Sequence, residues 1–486
     1  MKSLTKQLVD FTMKTNYEDL PEDVIHESKR VLLDSIGCAI AGLSSEKGKY
    51  AVKLATGLGG PAESTIFGTG FKVACSNAAF ANGELINSQD YDADAQGHFT
   101  PALIPGPLAL AERVGATGKD LILAIALGHE ITIRMRSGLP TIAETIRKGP
   151  DRGKNFLAPV YGYGFTVIGG TAASGKILKL SRENMFNALG IAGYISPVAC
   201  AGKYREPHPA VMTKYTSEGW TCQAEVTAAL LGEMGYQGDP TVLDGDYGYW
   251  RFFAPSDKWD PNLVTEKLGK EWHVQSLNYK FYPCCTISHT CMDCLGYLME
   301  KHNLVAEEIE HITLVIDKGI QDPNRANRIN YTKEIVNQID AQFSIFYPVA
   351  ALANRIPKTD WQDLQNIRNP KILEFMQKIS LEDYPDWHTT QLAHPGSIPN
   401  AVEVTARGQT FREERLYRKG YGGIVHKPEN AAPYLDSIRA TDEELGQKFT
   451  DNTSRVLTWD KIQEAIECIF KLEQLSNINE LTRLTS

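Results

Sequence analysis

The hydrophobic pattern of the chain changes near residue 270, and this change limits the folds that the chain can adopt. Up to that point, small and apolar residues recur at steps of three or four, as in 21–42, which is typical of packed helices. Beyond it, the segment 309–317 alternates between apolar and polar residues, and a helical pattern returns at 458–475. The order predicts a helical domain built from both chain ends, with an α+β domain inserted in it.

The helical part is predicted from periodicity and from end signals. In 21–42 one face is apolar or small, Pro21 and acidic residues stand at the start, and Gly42 follows the end. Many of the helical segments are rich in Ala and Gly, so we expect their axes to approach closely. The further predicted helices cover 74–87, 105–114, 119–136, 165–178, 182–196 and 219–235.

The inserted part is predicted to contain strands. Within 309–317, Ile312, Leu314 and Ile316 share one face, and 400–420 reads as two strands joined by a turn at Arg407 and Gly408. The segment 341–355 between them is helical by pattern.

Chain length supports two domains, because a single hydrophobic core stops growing at about 250 to 300 residues and this chain has 486. The predicted fold class is mainly α, with a discontinuous all-helical domain and a smaller α+β domain. We place the helical domain at 1–268 and 426–486 and the α+β domain at 269–425.

Charge and cysteine usage exclude several classes of partner. The net charge of −9 disfavours nucleic acid and anionic membranes. No run approaches 18 apolar residues and no signal peptide opens the chain, so we predict a cytoplasmic protein without a membrane partner. The nine cysteines are odd in number and mostly isolated, which indicates reduced thiols.

The segment 87–101, NSQDYDADAQGHFTP, carries the first candidate site: Asp90, Asp92 and Asp94 alternate and His98 follows. An EF-hand loop would need a glycine and a closing glutamate where Ala95 and Pro101 stand, so calcium is disfavoured. An exposed acidic loop is the plain alternative. Because the flanking segments have the composition of buried helices, we favour a pocket between them.

Cations cluster in 200–220, where Lys203, Arg205, His208 and Lys214 stand in an otherwise acidic chain. Such a cluster suits a carboxylate- or phosphate-binding wall, and its alternative is a solvated loop. Lys214 adjoins a small-residue helix and is harder to assign to a surface.

Two more segments carry reactive side chains. Cys291 and Cys294 form a lone C-x-x-C on a predicted helix, where buried inert thiols are favoured over a structural metal or an iron–sulfur cluster. We therefore predict no metal site, and keep Lys280, Cys285 and His289 as candidates for a pocket rim. Tyr347 lies among apolar residues, so its hydroxyl has either a structural or a functional partner.

The chain resembles the MmgE/PrpD family in the order of several segments. YEDLPEDVIHESKRVLLDSIGCAIAG, SNAAFANGELINSQDYDAD, MTKYTSEGWTCQAEVTAALLGEMGYQGDP, NYKFYPCCTISH, DAQFSIFYPVAALA and VEVTARGQTF match in sequence order and span nearly the whole chain. The resemblance implies a helical domain, a smaller lid domain, a homodimer, and a cofactor-free site between the domains that acts on a small polycarboxylate.

The resemblance also implies roles for individual residues. The family's shared step is proton transfer at a carbon next to a carboxylate, so a base and stabilising cations are needed. His98 would exchange that proton with the assistance of Tyr347 or Asp90, and Asp90 would orient His98 or raise its basicity. Lysines, with Arg205 as a further candidate, would clamp substrate carboxylates. The implied catalytic residues are His98, Asp90, Lys214 and Tyr347, and the implied substrate-binding residues are Lys280, Arg205, Cys285, His289 and Asp94.

Three departures from the family pattern bear on the reaction. Ala158 and Cys285 stand where family members have histidines, and the loop reads Asp-Tyr-Asp-Ala-Asp. Decarboxylation of cis-aconitate is therefore disfavoured, and the predicted reaction is loss of water from a hydroxylated di- or tricarboxylic acid, as in 2-methylcitrate dehydratase. The alternatives are epimerisation, isomerisation or decarboxylation of a related acid, and a binding paralogue without turnover.

Overall fold

The fold is described from a computed structural model, which covers residues 3–95, 97–139, 163–198, 207–214, 218–254, 258–317, 331–423 and 434–486. The chain is mainly α-helical with a small mixed sheet. Within these ranges, no helix combines the length and the apolar character needed to cross a membrane.

The amino-terminal part forms a layered helical body. Its segments predicted to be helical are helices, with ends within two residues of the predicted ones. A short antiparallel pair, β1 (Ser64–Thr65) and β2 (Lys72–Val73), precedes α4. The helices are α1 (Leu4–Lys14), α2 (Glu22–Gly42), α3 (Glu46–Leu58), α4 (Cys75–Asn87), α5 (Thr100–Leu103), α6 (Pro105–Val114), α7 (Gly118–Ser137), α8 (Thr166–Ile177), α9 (Arg182–Ile195), α10 (Glu218–Glu233) and α11 (Pro261–Thr265).

The carboxyl end of the chain returns to this body. Leu445 and Phe449 belong to the same hydrophobic core as Val31 and Ile36 of α2. Phe449 lies so close to Gly37 that a β-carbon there would come within 3.1 Å of its ring. The four last helices are α18 (Tyr434–Ile438), α19 (Asp442–Thr453), α20 (Trp459–Phe470) and α21 (Asn479–Leu484).

The inserted part has its own hydrophobic core, which includes Cys291, Leu314, Trp361 and Val404. The boundaries proposed above, 1–268, 269–425 and 426–486, stay predictions. The helices of this part are α12 (His289–Lys301), α13 (Gln338–Phe343), α14 (Phe346–Ala353), α15 (Leu364–Ile367), α16 (Pro370–Phe375) and α17 (Trp387–Ala393).

A four-stranded sheet lies in the inserted part, in the order β4 (Ile379–Asp383), β3 (Ile309–Ile316), β5 (Asn400–Ala406) and β6 (Gln409–Arg415). As predicted, Ile312, Leu314 and Ile316 are buried in the core of this part. Strand β4 runs parallel to β3 and was missing from the sequence prediction. The predicted turn between β5 and β6 is confirmed; φ is 54° at Arg407 and 69° at Gly408, as a two-residue turn of type I′ requires.

Close packing of α4 against α10 positions the candidate site. A β-carbon at Gly83 would lie 3.2 Å from the Gly219 backbone, and one at Gly219 would lie 2.4 Å from the carbonyl oxygen of Phe80. Only glycine leaves room for this approach. As a result, the carboxyl end of α4 lies beside the amino end of α10, and the loop that contains Asp90 meets Lys214.

Candidate active site

Asp90 is the centre of a buried group of charges between the two parts of the chain. Its Oδ2 lies 2.7 Å from Lys280 Nζ and its Oδ1 lies 3.2 Å from Lys214 Nζ. All three residues are at most 3% exposed. The loop is therefore a buried pocket element, as favoured from the sequence, and the alternative of an exposed acidic loop is wrong.

Backbone carbonyl groups complete the surroundings of both lysines. Lys214 Nζ donates to the carbonyl oxygen of Asn87, the last residue of α4, at 2.8 Å. Lys280 Nζ donates to the carbonyl oxygens of Asp90 and Cys284 at 2.9 and 3.2 Å. A cation at the carboxyl end of a helix is favoured by the helix dipole, so Lys214 also stabilises α4.

Asp90 and Lys214 both adopt the left-handed backbone conformation, with φ of 56° and 49°. This conformation costs free energy in residues with a side chain, and such residues cluster at functional sites. The two positive φ angles at one ion pair support a functional role for it.

The two lysines differ in their affinity for a proton. Burial lowers the pKa of Lys214 to about 8, although the charge of Asp90 opposes this shift. Burial also acts on Lys280, but the charges of Asp90, Asp92 and Asp94 outweigh it and raise its pKa. For Asp90, burial opposes ionisation, yet Lys214, Lys280 and His98 hold its pKa well below the usual range. Near neutral pH, Lys280 is therefore a fixed cation and Lys214 can exchange its proton.

His98 is oriented by Asp92, which corrects the prediction that Asp90 orients it. The Nδ1 atom of His98 lies 2.7 Å from Asp92 Oδ2, and Nε2 lies 3.8 Å from Asp90 Oδ1. Asn87 Nδ2 donates to the other oxygen of Asp92 at 3.3 Å. Because an ionised carboxylate only accepts hydrogen bonds, Nδ1 of the neutral ring carries the hydrogen and Nε2 carries the basic lone pair.

Lys214 and His98 are thus brought together at one carboxylate. Both Lys214 Nζ and His98 Nε2 lie within 4 Å of Asp90 Oδ1. The proposed base and cation therefore lie at the same carboxylate, and their catalytic roles stay predictions.

The inserted domain holds the loop at several points. Gln342 Nε2 and Gln362 Nε2 donate to the carbonyl oxygens of Ser88 and Gln89 at 2.8 and 2.7 Å. Asn278 exchanges two backbone hydrogen bonds with Asp94. These bonds fix the loop between the domains, where the resemblance places the site.

Asp94 contacts an arginine that sequence analysis missed. Arg418 Nη2 lies 2.5 Å from Asp94 Oδ2, and Asn278 Nδ2 donates to Asp94 Oδ1 at 2.9 Å. Asp94 and Arg418 line a cavity of about 720 Å³ between the two domains, together with Asn278 and Thr286. A cavity of this volume can hold a small polycarboxylate.

The predicted binding residues Cys285 and His289 lie close to Lys280, because Lys280 and His289 both donate to the carbonyl oxygen of Cys284. His289 is 1% exposed, and its Nε2 donates to the carbonyl oxygen of Cys284 at 3.1 Å. Burial and the positive charges of Arg418 and Lys280 lower its pKa well below the usual range, so the ring is neutral. Lys280 and His289 are fully enclosed, which corrects their placement on a pocket rim, whereas Cys285 is half-buried.

Tyr347 is a second correction, because its surroundings indicate a packing role. Its ring belongs to the core of the inserted part, and its hydroxyl donates to the carbonyl oxygen of Trp361 at 2.5 Å. Burial raises the pKa of this hydroxyl far above the usual range. A hydroxyl that is already bonded to a carbonyl is a poor proton donor to substrate, so Tyr347 is left out of the mechanism.

The substitution Tyr347→Phe is therefore expected to lower stability and to leave catalysis almost unchanged. It removes one buried hydrogen bond and leaves a carbonyl without a partner, which costs about 1 to 3 kcal/mol. Urea denaturation measures the first effect, and kcat/KM should stay within about twofold of the original protein. A large loss of kcat with an unchanged free energy of unfolding would restore the catalytic assignment.

Several predicted residues lie elsewhere. Arg205, Lys203 and Ala158 fall outside the described residues. His208 is exposed, and its Nε2 lies 3.1 Å from Glu334 Oε2. Cys291 and Cys294 are buried thiols, as predicted. Across the ranges that the structure covers, no group of three His, Cys, Asp or Glu side chains could hold a metal ion.

Comparison with known proteins gives one family over most of the chain. The model of the MmgE/PrpD N-terminal domain matches residues 6–262, and that of the MmgE/PrpD C-terminal domain matches residues 282–474.

Similar curated proteins are named cis-aconitate decarboxylase. The human protein is 28% identical over 501 residues, which cover 100% of this chain and 95% of the human one. The mouse protein is 26% identical, with 100% and 93% covered. The protein of Aspergillus terreus strain NIH 2624 is 25% identical, with 99% and 95% covered.

Proposed function

The chain belongs to the MmgE/PrpD family, and on that premise we propose that it is a lyase that moves a proton at a carbon next to a carboxylate of a small polycarboxylic acid. One observation carries the proposal: His98, Lys214 and Lys280 surround the buried carboxylate of Asp90. These residues provide a base, a proton donor and a fixed cation without any further group.

As the specific reaction we propose loss of water from a hydroxylated di- or tricarboxylic acid similar to 2-methylcitrate. His98 Nε2 removes the proton from the carbon beside a carboxylate, and the electron pair develops on that carboxylate as an enolate. Lys280 stabilises this charge, because it stays protonated. The carbon–oxygen bond then breaks, a carbon–carbon double bond forms, and Lys214 gives its proton to the departing hydroxide.

Decarboxylation is the second candidate, and the names of the similar proteins favour it. In that reaction a carbon–carbon bond breaks, carbon dioxide leaves, and the electron pair stays on the carbon until a proton reaches it. Protonated His98 or Lys214 would supply that proton. Cys285 in place of the lid histidine that the resemblance implies favours dehydration over this reaction.

One product analysis separates these reactions. The purified protein is incubated with citrate, 2-methylcitrate, malate and cis-aconitate, and products are followed by proton NMR and by ultraviolet absorbance of the conjugated double bond. An unsaturated acid formed from a hydroxylated substrate supports dehydration. Carbon dioxide and a five-carbon diacid formed from cis-aconitate support decarboxylation instead. Binding without any product supports the paralogue without turnover.

The rate is expected to fall as pH rises through about 8. The pKa of Lys214 is lowered to about 8, and the proposed donor must be protonated, so activity is present below this pH and is lost above it. The measurement is kcat from pH 6 to 9.5, with folding checked by circular dichroism at each pH.

Lys214→Arg tests the assignment of this titration. Arginine stays charged throughout, so the variant should be slow but lack the fall in rate near pH 8. Lys179→Arg is the matched control, because Lys179 also has a positive φ and lies on the surface. An unchanged fall near pH 8 in Lys214→Arg contradicts the assignment.

The homodimer and the cytoplasmic location that the resemblance implies remain predictions. Light scattering of the eluting protein would test the first, with a mass of about twice 53.8 kDa expected.

A further inference from the structure

Arg418 is a buried cation whose hydrogen bonds are only partly used. It follows β6 in the inserted domain and is 4% exposed. Its Nη2 bonds to Asp94, while its Nη1 is buried and has no hydrogen-bond partner among the residues that the structure describes. A guanidinium nitrogen left unpaired in a buried place costs free energy, so this atom is suited to an acceptor on a bound molecule.

The position of Arg418 links it to the proposed site. Its charge acts together with Lys280 and His98 to lower the pKa of Asp94, against the effect of burial. It also acts, with Lys280, on His289. Arg418 lines the cavity between the domains together with Asp94, which belongs to the same loop as Asp90 and Asp92. The arginine is therefore joined to the loop of the proposed site from the inserted domain.

His289 has a second buried polar atom of this kind. Its Nε2 is bonded to a carbonyl, and its Nδ1 is buried and has no partner within the described ranges. Arg418 and His289 of the inserted domain, whose charges interact, thus each present one buried polar atom that a ligand could satisfy. Hydrogen-bonding groups of a bound polar molecule would satisfy them.

We propose that Arg418 binds a carboxylate of the substrate through Nη1, in addition to the carboxylate whose developing charge Lys280 stabilises. This inference rests on the proposed function and extends it to the substrate class. The planar guanidinium already holds one carboxylate, Asp94, and presents its remaining N–H groups in a fixed geometry that suits a second one. Because Arg418 adds a carboxylate contact beyond those at the reacting carbon, the site selects tricarboxylates over dicarboxylates.

Binding of unreactive acids tests this without any turnover. Tricarballylate carries three carboxylates on a propane chain, glutarate lacks the central one, and methylsuccinate lacks a terminal one. Isothermal titration calorimetry gives Kd for each acid. The original protein should bind tricarballylate more tightly than at least one of the two dicarboxylates.

Arg418→Gln should weaken tricarballylate binding about 10- to 100-fold, the loss expected for one hydrogen bond to a charged group. One of the two dicarboxylates lacks the carboxylate that Arg418 contacts. Its Kd should change little in this variant, so the preference for tricarballylate disappears. Arg418→Lys keeps the positive charge but not the planar guanidinium with its several N–H donors. It should lose only part of the preference for tricarballylate. Arg412→Gln is the control, because Arg412 is exposed and pairs with Glu403.

The outcomes separate this proposal from the proposed function. Equal weakening for all three acids in both Arg418 variants, or no weakening, overturns the role of Arg418 and indicates that it only ties Asp94 in place. A protein that binds tricarballylate through Arg418 but converts no substrate overturns the proposed reaction alone. A protein that binds none of the acids overturns the role of Arg418 as well.

Discussion

Replacement of His98 by glutamine is expected to lower kcat about 100- to 10,000-fold, the usual contribution of a positioned general base. Glutamine can keep a hydrogen bond to Asp92, but it has no basic nitrogen in place of Nε2. The free energy of unfolding should change by less than about 1 kcal/mol, because a hydrogen bond of ordinary strength is retained. Steady-state kinetics on the best substrate and urea denaturation measure the two quantities.

His26→Gln is the matched control for this change. His26 also faces a carboxylate, Asp442, but it lies on the surface of the helical domain with 45% of its side chain exposed. The kcat of His26→Gln should equal that of the original protein. If His98→Gln keeps full turnover, another group removes the proton and the assignment of His98 is lost.

Asp90→Asn is expected to have the largest effect on stability. The change removes the carboxylate that pairs with Lys214 and Lys280, and all three groups are buried. Removal of one partner from a buried ion pair costs about 3 to 5 kcal/mol, because the remaining charge has no counterion. Without Asp90, the pKa of Lys280 also falls, so the fixed cation is weakened and kcat should drop in the molecules that remain folded.

Glu112→Gln shows how much of this effect is specific to the site. Glu112 is also a buried carboxylate, and it pairs with Lys72 and accepts from the backbone N–H of Thr65. Both variants should lower the free energy of unfolding in urea. Only Asp90→Asn should lower kcat per folded molecule, and an unchanged kcat in that variant would contradict a role for the pair of lysines at the site.

Much of the helical part could be predicted because its helices carry both periodicity and end signals. α4 and α10 were placed within one or two residues, and their glycines are found where the two axes meet. Strand β4 was missed, because its parallel partner β3 lies more than 60 residues earlier in the chain. A short strand of mixed polarity gives no signal of its own when its pairing is long-range.

The site was predicted in part. The resemblance identified Asp90, Lys214 and Lys280, and the structure joins them at one carboxylate. It did not distinguish which aspartate orients His98, because Asp90 and Asp92 differ only in the direction that the loop gives to each side chain. The left-handed conformation of Asp90 sets that direction and cannot be seen in residue spacing.

Arg418 shows the limit of local motifs. It follows an exposed strand with several charged residues, and the sequence gives no reason to choose it over Arg412 or Arg415. Only the tertiary contact with Asp94, more than 300 residues away, separates it from them. Tyr347 is the opposite case. The resemblance implied a catalytic role for it, but its hydroxyl donates to the carbonyl oxygen of Trp361.

Exchange of carbon-bound hydrogen with solvent tests the central claim most directly. The protein is incubated in deuterated water with citrate, 2-methylcitrate, cis-aconitate and tricarballylate, and proton NMR follows the hydrogens on carbons beside a carboxylate. The original protein should replace one of these hydrogens by deuterium in at least one acid. In His98→Gln the rate of this exchange should be lower by a factor of at least about 100. Absence of deuterium from every acid that the protein binds, or equal rates in both proteins, would contradict the claim that this site makes such a hydrogen labile.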